Sequence, residues 1–209
     1  MLHKPRGYVC SRVRESEAKM IYDLLPASFL RRNPLLVSAG RLDKWASGLL
    51  VLSQDGDIIQ RLTSPKRKAG SLGKVYEVQL QQPLTGQEEV AFASGELMLR
   101  SETLPCKPAG FEVIDAENRL VRITLYEGRY HQLRRMLAAL GNRAVTIHRV
   151  QTGPLRLGEL PVRSESMDPF ATQTLVHFLS PNLSLSLFLS PLISLCIAAG
   201  LSFNFTTCF

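Results

Sequence analysis

Gly40 to Leu50 reads Gly-Arg-Leu-Asp-Lys-Trp-Ala-Ser-Gly-Leu-Leu, and the chain runs on as Val51-Leu52-Ser53. An arginine and an aspartate two residues apart sit in a polar turn, and the small residues Ala46-Ser47-Gly48 lead into the apolar run Leu49–Ser53. That run reads as a short buried strand. In an extended or turning backbone Arg41 and Asp43 project to the same side. Two readings stay open for the pair. It is a surface ion pair of small energetic weight, or a carboxylate against an apolar wall, which needs a cation to stay ionised. After the strand comes Gln54-Asp55-Gly56, with Asp57 expected as the N-cap of a helix over Ile58–Ser64.

Working outward, Ser16–Leu25 carries apolar residues at helical spacing, and Pro26 is expected to stop that helix. Lys74–Leu80 alternates and reads as a strand, as do Phe111–Ile114 and Leu120–Tyr126. His131–Leu140 reads as a helix with Gly141 beyond its C-terminus. Leu133, Met136, Leu137 and Leu140 form its buried stripe, and His131 and Arg134 fall one turn apart on another face. Strands outnumber helices and connections are short. The expected class is α+β, a mixed and mostly antiparallel sheet with a few packed helices, in contrast to a doubly wound fold. No GxGxxG, P-loop, HExxH or GxSxG pattern occurs, which removes most of the case for nucleotide-driven, zinc-peptidase and serine-hydrolase chemistry.

The chain has 209 residues, a net charge of +7 and a sequence pI near 9.5. A basic surface favours a polyanion, nucleic acid before membrane. The four cysteines, at 10, 106, 196 and 208, show no CxxC spacing; plain thiols in a reducing compartment are expected, without disulfide or zinc. The N-terminus lacks the apolar segment of a secretory signal. From Pro169 onward there is no Asp, Glu, Lys or Arg. Leu183–Phe203 is long enough to span a bilayer, but Pro181, Pro191 and its Ser-Leu alternation suit an uninterrupted helix poorly. The expected division is a folded domain over 1–164 and an uncharged, poorly ordered Ser/Leu-rich extension over 165–209. A membrane anchor is the second reading of that extension.

Two further segments carry chemistry. Glu127–Met136, EGRYHQLRRM, gathers Arg129, His131, Arg134 and Arg135 at the start of a helix, where anions are favoured. One arginine can pair with Asp43 while others meet phosphates, since the guanidinium fork grips either anion. A solvated helix face is the plain alternative. In Lys74-Val75-Tyr76 the lysine and tyrosine face one side of a strand. A cation beside an aromatic suits an extruded base; a core tyrosine is the default.

GRLD followed by a small-residue turn and GLL, then KxY, then EGRxHQLRRM, in that order, resembles the pseudouridine synthases. More narrowly it resembles the RsuA branch, which modifies single uridines of ribosomal RNA. The likeness runs from His3 (HKPRGYVCS) through HRVQTGPLRLGEL to Leu160. It implies isomerisation of a uridine to pseudouridine, in ribosomal RNA or a pre-ribosomal particle and with the small subunit favoured, by base flipping and a nucleophilic aspartate. Asp43 matches the essential aspartate, Arg41 the arginine that helps extrude the base, Tyr76 the tyrosine packed on the uracil, and Arg134 the cation paired with the aspartate. Leu133 is expected to line the pocket, and Lys74, Arg129 and His131 to make RNA or structural contacts. The reaction oxidises and hydrolyses nothing, so no metal or cofactor is implied. A monomer is expected, in the cytoplasm if bacterial and in a plastid or mitochondrion if eukaryotic.

The likeness has two gaps. Members of the branch usually carry a small RNA-binding module before the catalytic domain, yet His3-Lys4-Pro5 already belongs to the catalytic pattern, so a chain without that module and with low RNA affinity is expected. The family's last segment is replaced by the uncharged extension. A truncated, inactive RNA-binding homologue is the alternative function.

Overall fold

Val121, Ile123 and Leu125 are buried while Arg122 between them is part-exposed. That two-residue rhythm makes Leu120–Leu125 a strand with one face in the core. The same rule organises the sheet. The computed structural model describes residues 1–13, 17–64 and 72–162, all within the unit Met1–Leu175. The described strands are β1 (Leu2–Lys4), β2 (Val37–Ser38), β3 (Ser47–Leu50), β4 (Leu52–Ser53), β5 (Lys74–Leu80), β6 (Gly110–Asp115), β7 (Leu120–Leu125), β8 (Ala144–Thr152) and β9 (Leu155–Arg156). The α-helices are α1 (Ala27–Leu30), α2 (Gly56–Thr63), α3 (Glu88–Ser94) and α4 (Gln132–Ala139).

The main sheet runs β1-β3-β8-β5-β7-β6, with β9 also on β8. Every pairing is antiparallel except β3 with β8, which is parallel. The α+β class expected from the sequence is the class observed. One sheet face supplies Val78, Leu80, Val121, Ile123, Leu125, Phe111 and Ile147 to the main core. Against it pack Phe92 of α3 and Leu133, Met136 and Leu137 of α4. The opposite face is polar: Arg122 bridges Glu77 at 3.1 Å and Glu112 at 3.0 Å across three strands, the cross-strand pairing of opposite charges that sheets favour.

Three local expectations are corrected. The helix read over Ser16–Leu25 is only a 3-10 turn, Ile21–Leu24; Ser16 itself lies outside the described residues. The backbone of Val9 captures this stretch first, its N–H donating to Lys19 O and its carbonyl accepting from Ile21 N. Leu25, before Pro26, is held extended, as a pre-proline residue prefers. Pro26 then caps the start of α1. The Leu49–Ser53 strand is broken at Val51, after which the chain leaves β8's neighbour and pairs Leu52 and Ser53 with Ser38 and Val37. The N-cap of α2 is Asp55, whose carboxylate accepts from Asp57 N at 2.8 Å and Ile58 N at 3.3 Å. Asp57 sits inside the first turn, where the helix dipole favours its charge. The extension over 165–209 lies outside the described residues. No helix among the described residues is long and apolar enough to cross a membrane.

Candidate active site

Asp43 opens a β-turn closed by the Ala46 N–H donating to the Asp43 carbonyl at 3.0 Å. The carbonyls of that turn are bound from beneath. Gly7 N donates to Lys44 O at 2.7 Å. The Lys4 ammonium donates to Ala46 O at 2.6 Å, Pro5 O at 2.9 Å and Lys44 O at 3.3 Å. Lys4 is wholly buried. Burial pushes its pKa from the usual 10.5 down to about 8, against the pull of the Asp43 charge. On the other side Arg149, 2% exposed, donates Nε to Leu49 O at 2.8 Å and Nη1 to Arg41 O at 3.4 Å. The Leu42 N–H donates to the Cys10 thiol at 3.4 Å, and burial holds that thiol above its ordinary pKa.

These contacts share one row across the sheet. Lys4 pairs with Gly48, Gly48 with Arg149, Arg149 with Tyr76, Tyr76 with Ile123 and Ile123 with Phe111. Directly paired residues project to the same face, so two buried cations and a tyrosine line up beside the Asp43 turn. Gly48 makes the row possible. Its φ is +108°, and a Cβ there would lie 2.6 Å from Arg149 N, closer than any side chain tolerates. Only glycine lets β3 approach β8 at this point.

The cations that face Asp43 come from the entry to α4. Gln132, 4% exposed, closes a turn: its Oε1 accepts from Arg129 N at 2.9 Å and its Nε2 donates to Glu127 Oε1 at 2.8 Å. This lifts His131 into a left-handed conformation, φ +47°, as the residue before the helix, a region that non-glycine residues occupy at a cost. Tyr130 stacks on its ring at 3.9 Å. His131 Nε2 then stands 3.7 Å from one Asp43 oxygen and Arg134 Nε 3.6 Å from the other. Neither contact is a hydrogen bond, and among the described residues the carboxylate accepts none. It is one-third exposed. The arrangement sets the Arg134 guanidinium and the His131 imidazole on either side of the carboxylate and leaves both of its oxygens open to a ligand.

The structure therefore joins three of the sequence candidates, Asp43, His131 and Arg134, and the arginine beside the aspartate is Arg134 of α4. Arg41 is exposed and makes no ion pair with Asp43. Tyr76 is partly buried on the core, its ring 6.0 Å from the Arg149 guanidinium. Lys74 is half-buried on the same strand, and burial, then the Arg149 charge, lower its pKa. Leu133 does not face an opening: it is 6% exposed and belongs to the core cluster with Leu42 and Ala46, which support the turn. Arg129 is turned inward as well, donating to Leu104 O at 2.8 Å and Pro105 O at 2.5 Å and pairing with Glu127 at 3.2 Å. Sequence reasoning missed Lys4, Gly48, Glu127, Gln132 and Arg149. A signal existed for Arg149, a lone arginine within the strand Ala144–Thr152. Among the described residues no group of three or more His, Cys, Asp or Glu could hold a metal ion.

A model of the RNA pseudouridylate synthase family matches residues 1–139. The chain belongs to that family. Among its relatives, ribosomal small subunit pseudouridine synthase A of Pasteurella multocida is 42% identical over 176 residues, covering 82% of this chain and 72% of the relative. The protein of the same description from Haemophilus influenzae is 42% identical over 159 residues, covering 76% and 64%. A crystal structure of a pseudouridylate synthase is similar with a TM-score of 0.67 at 40% identity, covering 76% of this chain and 64% of that one. The matches support the RsuA-like branch of pseudouridylate synthases, and the residues matched by the family model include Asp43, His131 and Arg134.

Proposed function

We propose that this pseudouridylate synthase isomerises a uridine of ribosomal RNA, with the small subunit favoured, and that Asp43 is its nucleophile. One observation carries the reading: an aspartate between Arg134 and His131, at 3.6 and 3.7 Å, with no hydrogen bond to occupy its oxygens. In the reaction the N1–C1′ bond breaks, the base turns, and a C5–C1′ bond forms. C5 loses its proton and N1 gains one, so nothing is added or removed overall. A carboxylate that adds to the nucleoside divides this exchange into two easier steps. Arg134 stands 3.6 Å from one Asp43 oxygen and orients the carboxylate for attack. Tyr76 packs against the uracil and its phenol handles the proton at C5. Arg41, exposed beside the turn, helps to hold the target out of its stack, a displacement that costs a few kcal/mol. Contacts of Lys74 and other cations with phosphates offset that cost, so binding weakens steeply with salt.

Incubation with unmodified ribosomal RNA, followed by carbodiimide-dependent primer extension, tests the proposal. One new stop is expected in small-subunit RNA, with at least ~1,000-fold slower formation in Asp43→Asn. Equal rates in the two proteins, or no stop on either subunit's RNA, would overturn it.

A further inference from the structure

Trp45 is the chain's single tryptophan, and it is 56% exposed. It belongs to none of the three core clusters. Its exposure is imposed by the backbone beneath it. The carbonyls on either side, Lys44 O and Ala46 O, are bound by Gly7 N and the Lys4 ammonium, and Ala46 N is bound to Asp43 O. A turn tied at this many points holds the indole outward, two residues from the Asp43 carboxylate.

The surroundings of the ring are cationic. The Lys44 ammonium lies 5.5 Å from its centroid. Arg41 is exposed at the start of the same loop, and Arg6 is exposed next to Gly7, which binds the turn. An exposed aromatic flanked by cations is the composition with which proteins hold unpaired nucleotides: a ring for the base and charges for its phosphates. The other exposed aromatic near Asp43, Tyr130, differs, because His131 already occupies a face of its ring.

We infer that Trp45 is a stacking platform for the unpaired nucleotide adjoining the target uridine, so that the enzyme takes its target from an opened, single-stranded segment. The inference rests on the proposed RNA reaction. When the target base leaves its stack, the neighbouring base loses a partner on one face. An indole fixed next to the nucleophile replaces that partner and keeps the opened strand in register with Asp43.

The single tryptophan makes this directly observable. Addition of a single-stranded oligouridylate to the native protein should quench tryptophan emission by about half, while the same strand annealed to oligoadenylate should leave it nearly unchanged. With unmodified ribosomal RNA as substrate, Trp45→Ala should raise KM about tenfold with kcat within about twofold, and Trp45→Phe should return KM to within about threefold of native. Unchanged emission at oligouridylate concentrations where filter binding detects the complex would overturn the inference, as would a native KM in Trp45→Ala. If native protein forms no pseudouridine, the proposed reaction fails, and quenching by the oligouridylate alone still decides whether Trp45 stacks on RNA.

Discussion

The turn that presents Asp43 and the helix entry that presents its cations meet at one carboxylate, but they are held by opposite means. Beneath the turn, the charges are buried and bind backbone carbonyls: Lys4 and Arg149 are 0% and 2% exposed. At the helix entry, the charges bind one another near the surface. Arg135 meets Glu102 at 2.8 Å, and Arg129 meets Glu127 at 3.2 Å and Glu102 at 3.5 Å, with side chains 13–31% exposed. Removing a buried partner leaves a desolvated polar group behind, which is costly. Removing a surface partner returns the other to water and costs little. Asp43 is thus placed by the rigid side of the site, and His131 and Arg134 by the side that salt and pH can reach.

The rigid side should break first and furthest. Gly48→Ala forces a Cβ into the Arg149 backbone at a positive φ, so β3 and β8 must separate. A loss of about 3 kcal/mol or more in urea unfolding is expected, with pseudouridine formation lost together with the fold. A Gly48→Ala protein as stable as native would show that the parallel join is not what holds the turn. Lys4→Met is the next largest. It leaves the carbonyls of Pro5 and Ala46 without the ammonium, while Lys44 O keeps the Gly7 N–H, at about 2 kcal/mol at pH 7. The pH dependence is distinctive. Lys4 has a folded pKa near 8 against 10.5 unfolded, so between those values the unfolded chain holds the extra proton and stability rises with pH. Native protein should therefore gain on Lys4→Met by about 2 kcal/mol from pH 8 to 10. A gap that stays constant over that range would show that Lys4 does not titrate in the fold.

The same division explains what the sequence disclosed. The strands Lys74–Leu80 and Leu120–Leu125 and the helix α4 were legible because each buries one face, and burial on one face prints a period of two or near four in the residues. Asp43, His131 and Arg134 were legible through the order of three motifs, GRLD, KxY and EGRxHQLRRM, since the spacing within each left a surface ion pair or a solvated helix face open. The supports were hidden. Lys4 and Arg149 reach the Asp43 loop because pairing across β1, β3 and β8 joins Lys4 with Gly48 and Gly48 with Arg149. No local pattern records such a pairing. The false helix before Pro26 failed for the same reason: Val9, eleven residues upstream of Met20, captures its backbone. Spacing put Leu133 in the buried stripe of its helix, where it lies, whereas what Arg129 packs against, the carbonyls of Leu104 and Pro105, no local spacing records.

The surface side supplies the smallest effect and the sharpest check of the contrast. Glu102 accepts from Arg135 and pairs with Arg129; the Arg135 hydrogen bond, then the charges of Arg135 and Arg129, hold its pKa below the ordinary 4.5. A depressed carboxylate adds stability above its unfolded pKa and loses it as pH falls through the folded value. Glu102→Gln should therefore lower Tm by less than about 2 °C at neutral pH and low salt. The difference should shrink as pH falls below 4.5 and on through the lower folded value, and shrink in molar salt, where the screening length falls to about 3 Å. Arg135 keeps its hydrogen bonds to Arg100 O and Tyr130 O, so the helix entry holds its shape and the rate of pseudouridine formation should stay within about twofold of native. A large, salt-insensitive loss of Tm would place Glu102 with Lys4 and Arg149 as a structural support. A large loss of rate with unchanged Tm would show that the surface network sets the distance from Arg134 to Asp43, and that both sides of the site are built to the same tolerance.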